Sequence, residues 1–195
     1  MTPENAIYIY HWEGIGAPGS GEQIMACVKH YAEALGLRGA AALLADGGKA
    51  LVERGARGKP YLTGIPDIHF SLSHSGAYGA CAVHSRPVGA DIQVNADCDR
   101  KAIARRFFHA DEYAYLEKRG FEPFFQVWAA KESYVKYTGA GIFGGLAQFA
   151  VADEDGLKTS VNGVELRHID MGNKYKMCVC AEEILIYQLV TLGYN

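Results

Sequence analysis

Between residues 68 and 94 three short runs, Ile68–Ser73, Tyr78–His84 and Val88–Val94, follow one another with only Gly76 and Arg86-Pro87 as punctuation. Runs of this length, rich in β-branched, aromatic and small apolar residues, read as strands. Links this short join antiparallel neighbours, because a parallel return needs a dozen or more residues. The spacing predicts an antiparallel meander. Ahead of it Ile7–Trp12 reads as a further strand, and 22–35 as a helix with Ile24, Val28, Tyr31 and Leu35 on one stripe and Gly36 as its stop. The run Ala40–Leu44 does not separate helix from strand, and Ala50–Glu53 reads as a strand. Beyond the meander, helices are expected over Arg100–Phe108, Asp111–Glu117 and Glu122–Tyr137, the last with Pro123 in its first turn and Gly139 just past its end. Phe149–Val151, Gly163–Arg167, Tyr175–Ala181 and Ile184–Leu192 then read as strands. Helices and strands mix without βαβ alternation, so the expected fold class is α+β.

A chain of 195 residues, 49% hydrophobic, can bury one substantial core or two small ones that share a boundary. Its net charge of −3 argues against a dedicated nucleic-acid binder. No apolar run approaches the roughly 20 residues that span a bilayer, so no membrane association is expected. The polar start Met1-Thr2-Pro3-Glu4-Asn5 does not read as a signal peptide. Cys27, Cys81, Cys98, Cys178 and Cys180 lie among apolar neighbours without zinc-finger spacing. They read as reduced structural thiols, and a cytoplasmic location is expected.

Against this background a few polar residues stand out. Asp91 interrupts the apolar run Val88-Gly89-Ala90-Asp91-Ile92, where burial is costly without a cation, and Gln93 follows on the same strand face. Glu132 and Lys136 lie four residues apart, one turn along the predicted helix, with Trp128 a turn earlier. Carboxylates plus a lysine can hold Mg2+ against a diphosphate, which points to phosphoryl-transfer chemistry. The plainer reading of Glu132 and Lys136 is a surface salt bridge worth a few tenths of a kcal/mol. Phe70-Ser71-Leu72-Ser73-His74-Ser75 presents hydroxyls and an imidazole at a strand end, able to bond phosphate oxygens or simply to make a junction. Lys59, between Gly58 and Pro60, is either a phosphate contact or a solvated turn residue.

Taken in order, Gly58-Lys59-Pro60, Phe70–Ser75, Val88–Ile92, Arg106-Phe107-Phe108 with Glu112-Tyr113, and Trp128–Lys136 with Gly139-Ala140-Gly141 resemble the 4′-phosphopantetheinyl transferases of the surfactin-synthetase-activating type. Tyr175–Ala181 resembles that type's closing strand, so the likeness covers roughly residues 58 to 181. The resemblance implies a monomer of two similar antiparallel-sheet-plus-helix halves, 1–94 and 95–195, related by a pseudo-twofold axis with the coenzyme cleft between them. It implies transfer of 4′-phosphopantetheine from coenzyme A to a serine of an acyl or peptidyl carrier protein, with release of 3′,5′-ADP. Asp91, Glu132 and Gln93 would be the Mg2+ ligands. Lys136 would meet the diphosphate, Lys59, Ser73 and His74 the nucleotide phosphates, and Glu132 would serve as base. Gln93 stands where the type carries a second acidic residue. No basic helix is evident before Glu22; Lys29, Arg38, Arg54 and Arg57 are the substitutes, and Arg100, Lys101, Arg105 and Arg106 the candidate docking face for an acidic carrier. The alternatives are a catalytically weak coenzyme A or carrier-binding protein of the same fold, and a Mg2+-dependent hydrolase of the coenzyme diphosphate.

Overall fold

A computed structural model describes residues 6–13, 21–45, 52–141, 145–184 and 186–192. Its elements run β1 (Ala6–Glu13), α1 (Gly21–Ala34), α2 (Arg38–Ala45), β2 (Val52–Arg54), β3 (Pro60–Leu62), β4 (His69–Ser75), β5 (Tyr78–His84) and β6 (Val88–Val94). They continue with α3 (Arg100–Phe107), α4 (Ala110–Glu117), α5 (Phe124–Thr138), β7 (Ala152–Asp153), β8 (Gly156–Leu157), β9 (Ser160–Val161), β10 (Val164–Ile169), β11 (Tyr175–Ala181) and β12 (Ile186–Thr191). The class is α+β. The ambiguous run at 40–44 is helical, within α2. Part of the strand expected at 50–53 falls outside the described residues.

Two four-stranded sheets carry the fold, one in the order β12-β1-β5-β4 and the other β6-β11-β10-β9. All their pairings are antiparallel except β1 with β12. Hydrogen bonding therefore crosses the boundary between residues 94 and 95 at both ends of the chain, β6 pairing in the second sheet and β12 in the first.

Strand period explains the layering. On the first sheet Tyr8, Tyr10, Trp12, Cys81 and Val83 face Val28 and Tyr31 of α1, while Ile7, Ile9, Ala80 and Ala82 face the other way. That second set packs on Val88, Ala90, Ile92, Met177 and Val179 of the second sheet. The opposite face of the second sheet, Leu166, Cys178 and Cys180, packs under α5. Strands buried on both sides read as nearly continuous apolar runs, which is why β5 and β11 alternate so little. Gly79 belongs to this packing for a steric reason: a Cβ there would come within 2.2 Å of the Trp12 indole, its cross-strand neighbour.

The meander holds for two strands and fails at the third. β4 and β5 form a hairpin closing at Ser75 and Tyr78, but β6 leaves that sheet and pairs with β11 from Val88 opposite Ala181 to Val94 opposite Tyr175. Its other edge is met by side chains. The hydroxyls of Ser71, Ser73 and Ser75 accept hydrogen bonds from the backbone N–H groups of Ala90 (2.9 Å), Ile92 (3.2 Å) and Val94 (2.9 Å). Alternate serines on β4 thus satisfy alternate donors on β6 and join the two sheets without a backbone ladder. Phe149–Val151 is no strand either. The Phe149 carbonyl accepts from Lys131 and the Val151 N–H donates to Glu112, so side chains take the groups a partner strand would need.

Candidate active site

Asp91 reaches the site through the same period. Its neighbours Ala90 and Ile92 face the first sheet, so Gly89, Asp91 and Gln93 face α5. The helix lies so close that a Cβ on Gly89 would sit 2.0 Å from the Ser133 carbonyl oxygen and 2.5 Å from the Tyr137 nitrogen. Glycine at this point lets α5 descend onto β6 and bring Glu132 and Lys136 to Asp91. The helix ends where expected, at Gly139 with φ 68°, whose N–H bonds the Val135 carbonyl.

The carboxylate of Asp91, only 2% exposed, is fully engaged. Its Oδ1 accepts from the Ser73 hydroxyl at 2.7 Å and from the Lys136 ammonium at 2.7 Å, and its Oδ2 from the Gln93 amide at 2.7 Å. Glu132 is 8% exposed and close enough to feel both neighbours. Burial pushes its carboxyl up, the Asp91 charge adds to that, and Lys136 opposes it. Two carboxylates and one ammonium therefore share a largely dry pocket, with one carboxyl held above its ordinary range.

The remaining expected residues separate into two groups. Ser73 and Gln93 contact Asp91 itself. Ser73 Oγ also accepts from Ile92, which leaves it an orienting contact for Asp91. His74 points to the other face of β4, exposed, into a recess of about 590 Å3 whose walls include Arg54, Leu72, Asp91 and Lys136. Lys59 directs its ammonium to the Tyr137 carbonyl at 2.9 Å, where it caps the end of α5. Burial lowers its pKa. With Arg57, Pro60, Glu132, Val135 and Gly139 it lines an apolar slot of about 250 Å3 that opens beside Leu72. Of the basic residues before the meander, Arg54 and Arg57 border these cavities, whereas Lys29 pairs with Glu33 on the surface of α1. In α3, Arg100 bonds Asn95 and Arg105 bonds the Tyr113 hydroxyl.

Sequence reasoning passed over two contributions. Ser71 and Ser75 serve with Ser73 as sheet connectors, a role foreshadowed by their strict alternation. Lys131, beside Glu132, is wholly buried on Glu112 rather than solvated. Among the described residues no group of three or more His, Cys, Asp or Glu side chains stands together in a way that could hold a metal ion.

A family model described as the 4′-phosphopantetheinyl transferase superfamily matches residues 87–183, the stretch that carries Asp91, Glu132 and Lys136. Over that stretch the chain is similar to the 4′-phosphopantetheinyl transferase superfamily. A 4′-phosphopantetheinyl transferase of Bacillus subtilis is 37% identical over 134 residues, covering 64% of this chain and 59% of the relative. The transferase psf-1 of Bacillus pumilus is 45% identical over 114 residues, 56% of this chain and 48% of the relative. The transferase Sfp of Bacillus subtilis strain 168 is 35% identical over 134 residues, 64% of this chain and 59% of the relative. These likenesses agree with the surfactin-synthetase-activating type expected from the order of the motifs. The chain spans less than two thirds of the length of these transferases.

Proposed function

We propose that this protein transfers the 4′-phosphopantetheine arm of coenzyme A to a serine hydroxyl of an acyl or peptidyl carrier protein. The serine oxygen forms a bond to the β-phosphorus, the diphosphate P–O bond breaks, and 3′,5′-ADP leaves with the electron pair. The observation that carries this reading is the Asp91–Lys136–Glu132 cluster at the mouth of two adjoining cavities, in a chain similar to this superfamily. Glu132 suits the proton-accepting role. Its raised pKa makes it a stronger base than an exposed glutamate, and burial beside Lys136 keeps it placed. Lys136 is the cation positioned for the diphosphate, and His74 with Arg54 suits the nucleotide phosphates. The carrier serine would enter on the Glu132 side.

The residues fit a divalent cation. Burial and then the Asp91 charge hold Glu132 above its ordinary range, a cost that a cation between the two carboxylates would relieve, and Gln93 can turn its amide oxygen inward in exchange for the present bond to Asp91. Two carboxylates without a full protein cage match Mg2+, which keeps waters and takes substrate phosphate oxygens. Bound there, Mg2+ would neutralise the developing charge on the diphosphate and orient it. In this reading the halves 1–94 and 95–195, related by a pseudo-twofold axis, form one monomer and both contribute to the cleft, through Arg54–Leu72 and through Glu132–Gly141. Cytoplasmic conditions would keep the buried Cys27, Cys81, Cys178 and Cys180 reduced.

The test is to incubate the protein with Mg2+, coenzyme A and an apo carrier protein and to weigh both products. A carrier heavier by one phosphopantetheine, with equimolar 3′,5′-ADP, is the expected result. An unmodified carrier with intact coenzyme would mark a binding protein. An unmodified carrier with free 3′,5′-ADP would mark a hydrolase.

A further inference from the structure

α5 carries a second charged pair, on the side turned away from Asp91. Lys131 Nζ contacts both oxygens of Glu112, at 2.8 and 2.7 Å, and donates to the Phe149 carbonyl at 2.7 Å. Its ammonium also lies 4.3 Å from the centroid of the Phe149 ring. Glu112 in turn accepts from the Val151 N–H at 2.8 Å and from the His109 N–H at 2.9 Å, the latter closing the capping box of α4. Both side chains are almost wholly buried, at 1% and 0% exposure. Burial pushes Glu112 up and Lys131 down, each opposed by the charge of the other.

A buried ion pair is a weak device for stability alone, because desolvation offsets most of the attraction. What this one supplies is direction. It ties three separate segments, the start of α4, the middle of α5 and the chain just before β7, to one point on the helix. That point is the residue next to Glu132. Successive residues on a helix are 100° apart, so fixing Lys131 on one flank fixes the azimuth of Glu132 on the other. With a glutamate carboxyl roughly 7 Å from the axis, a 10° turn of α5 would move it by about 1 Å.

We propose that the Glu112–Lys131 pair is a positioning device that sets the rotation of α5, and so the placement of Glu132 against Asp91 and Lys136. The inference rests on the transferase reading above. Neither residue touches the cavities that border Asp91, so the effect runs through the helix and not through a ligand contact.

The test replaces the pair by an apolar one of similar volume, Glu112→Leu with Lys131→Met, beside Glu112→Gln alone. The double variant leaves no buried charge unpaired but deprives the Val151 and His109 N–H groups and the Phe149 carbonyl of their partners, so its melting temperature should fall while the protein stays folded at the assay temperature. For the folded variants we expect kcat to fall on the order of tenfold to a hundredfold, since a displacement of about 1 Å has that consequence. The KM for coenzyme A should stay within about threefold, and half-maximal activity should need several-fold more Mg2+, since Glu132 is displaced from Asp91. A purely structural pair predicts the opposite split: any loss tracks melting temperature, and a variant folded at the assay temperature has wild-type kcat and Mg2+ dependence. That result in either folded variant overturns the proposal. Should neither variant fold, hydrogen exchange on wild-type protein decides the matter. The α5 amides around Glu132 must then open only with α4, and independent opening of α5 also overturns it. A wild-type protein that transfers nothing would refute the transferase reading instead, before the variants are compared.

Discussion

Asp91→Asn removes one charge and leaves almost every atom in place, so its effects can be worked from the geometry. The asparagine oxygen can still accept from Ser73 and Lys136, while its amide nitrogen opposes the Gln93 amide, which must turn over. Charge-assisted hydrogen bonds are worth roughly 1.5–3 kcal/mol each. Lys136 is 28% exposed and recovers part of its hydration, so a net loss of about 1.5 kcal/mol is expected. For a chain of this size that corresponds to a fall of about 3–6 °C in melting temperature. The effect on Glu132 has a definite sign. A neighbouring like charge disfavours ionisation, so removing it lowers the Glu132 pKa, leaving burial as the main cause of elevation. The rate of phosphopantetheine transfer should rise with pH as Glu132 loses its proton, and this acid limb should move to lower pH in the variant. The same elevation means that folded Glu132 holds its proton more tightly than unfolded. Its contribution to stability is therefore full at acid pH and is lost as pH rises through the folded value, and the loss is smaller in the variant. Turnover should fall by at least about 10² through loss of charge at the proposed metal-binding position. The assay is the mass of the carrier protein against time, at several pH values and Mg2+ concentrations. A near-normal rate, or an acid limb displaced to higher pH, would show that Asp91 and Glu132 are not coupled in this way.

Ser73→Ala deprives both Asp91 and the Ile92 N–H of a partner; a loss of about 1–3 kcal/mol by thermal unfolding is expected, with weaker Mg2+ dependence of activity. His74→Ala should raise the KM for coenzyme A several-fold with kcat little changed, because the side chain faces the recess and does not touch Asp91; a kcat loss at constant KM would refute that placement. Gln93→Glu places a carboxylate where an amide now donates to Asp91, so its melting temperature should drop without Mg2+ and recover when Mg2+ is added, and insensitivity to Mg2+ would remove Gln93 from the site. Gly89→Ala forces α5 away from β6 and should cost about 3 kcal/mol or more, with loss of transfer in whatever remains folded; a variant as stable as wild type would contradict the close packing.

Much of this molecule was legible in one dimension because the relevant physics is local. Short runs rich in β-branched, aromatic and small apolar residues marked β1, β4, β5, β6 and β11, while an apolar stripe and a C-terminal glycine marked α1 and Pro123 with Gly139 marked α5, each within a few residues of its observed ends. An aspartate in an apolar strand and a Glu–Lys pair one turn apart were conspicuous for the same reason, since their cost or fit depends on neighbours in sequence. Tertiary structure alone decided what those groups meet. It took β6 out of the meander, because its free edge could be served by the hydroxyls of Ser71, Ser73 and Ser75 while β11 took the other. It turned Ser73 toward Asp91 and Lys59 toward the end of α5, since a side chain's partner is fixed by which elements pack together. It buried Lys131 on Glu112 across nineteen residues of chain, a contact for which spacing carries no signal. Pattern reports which face of an element seeks burial; only packing determines what waits on the other side.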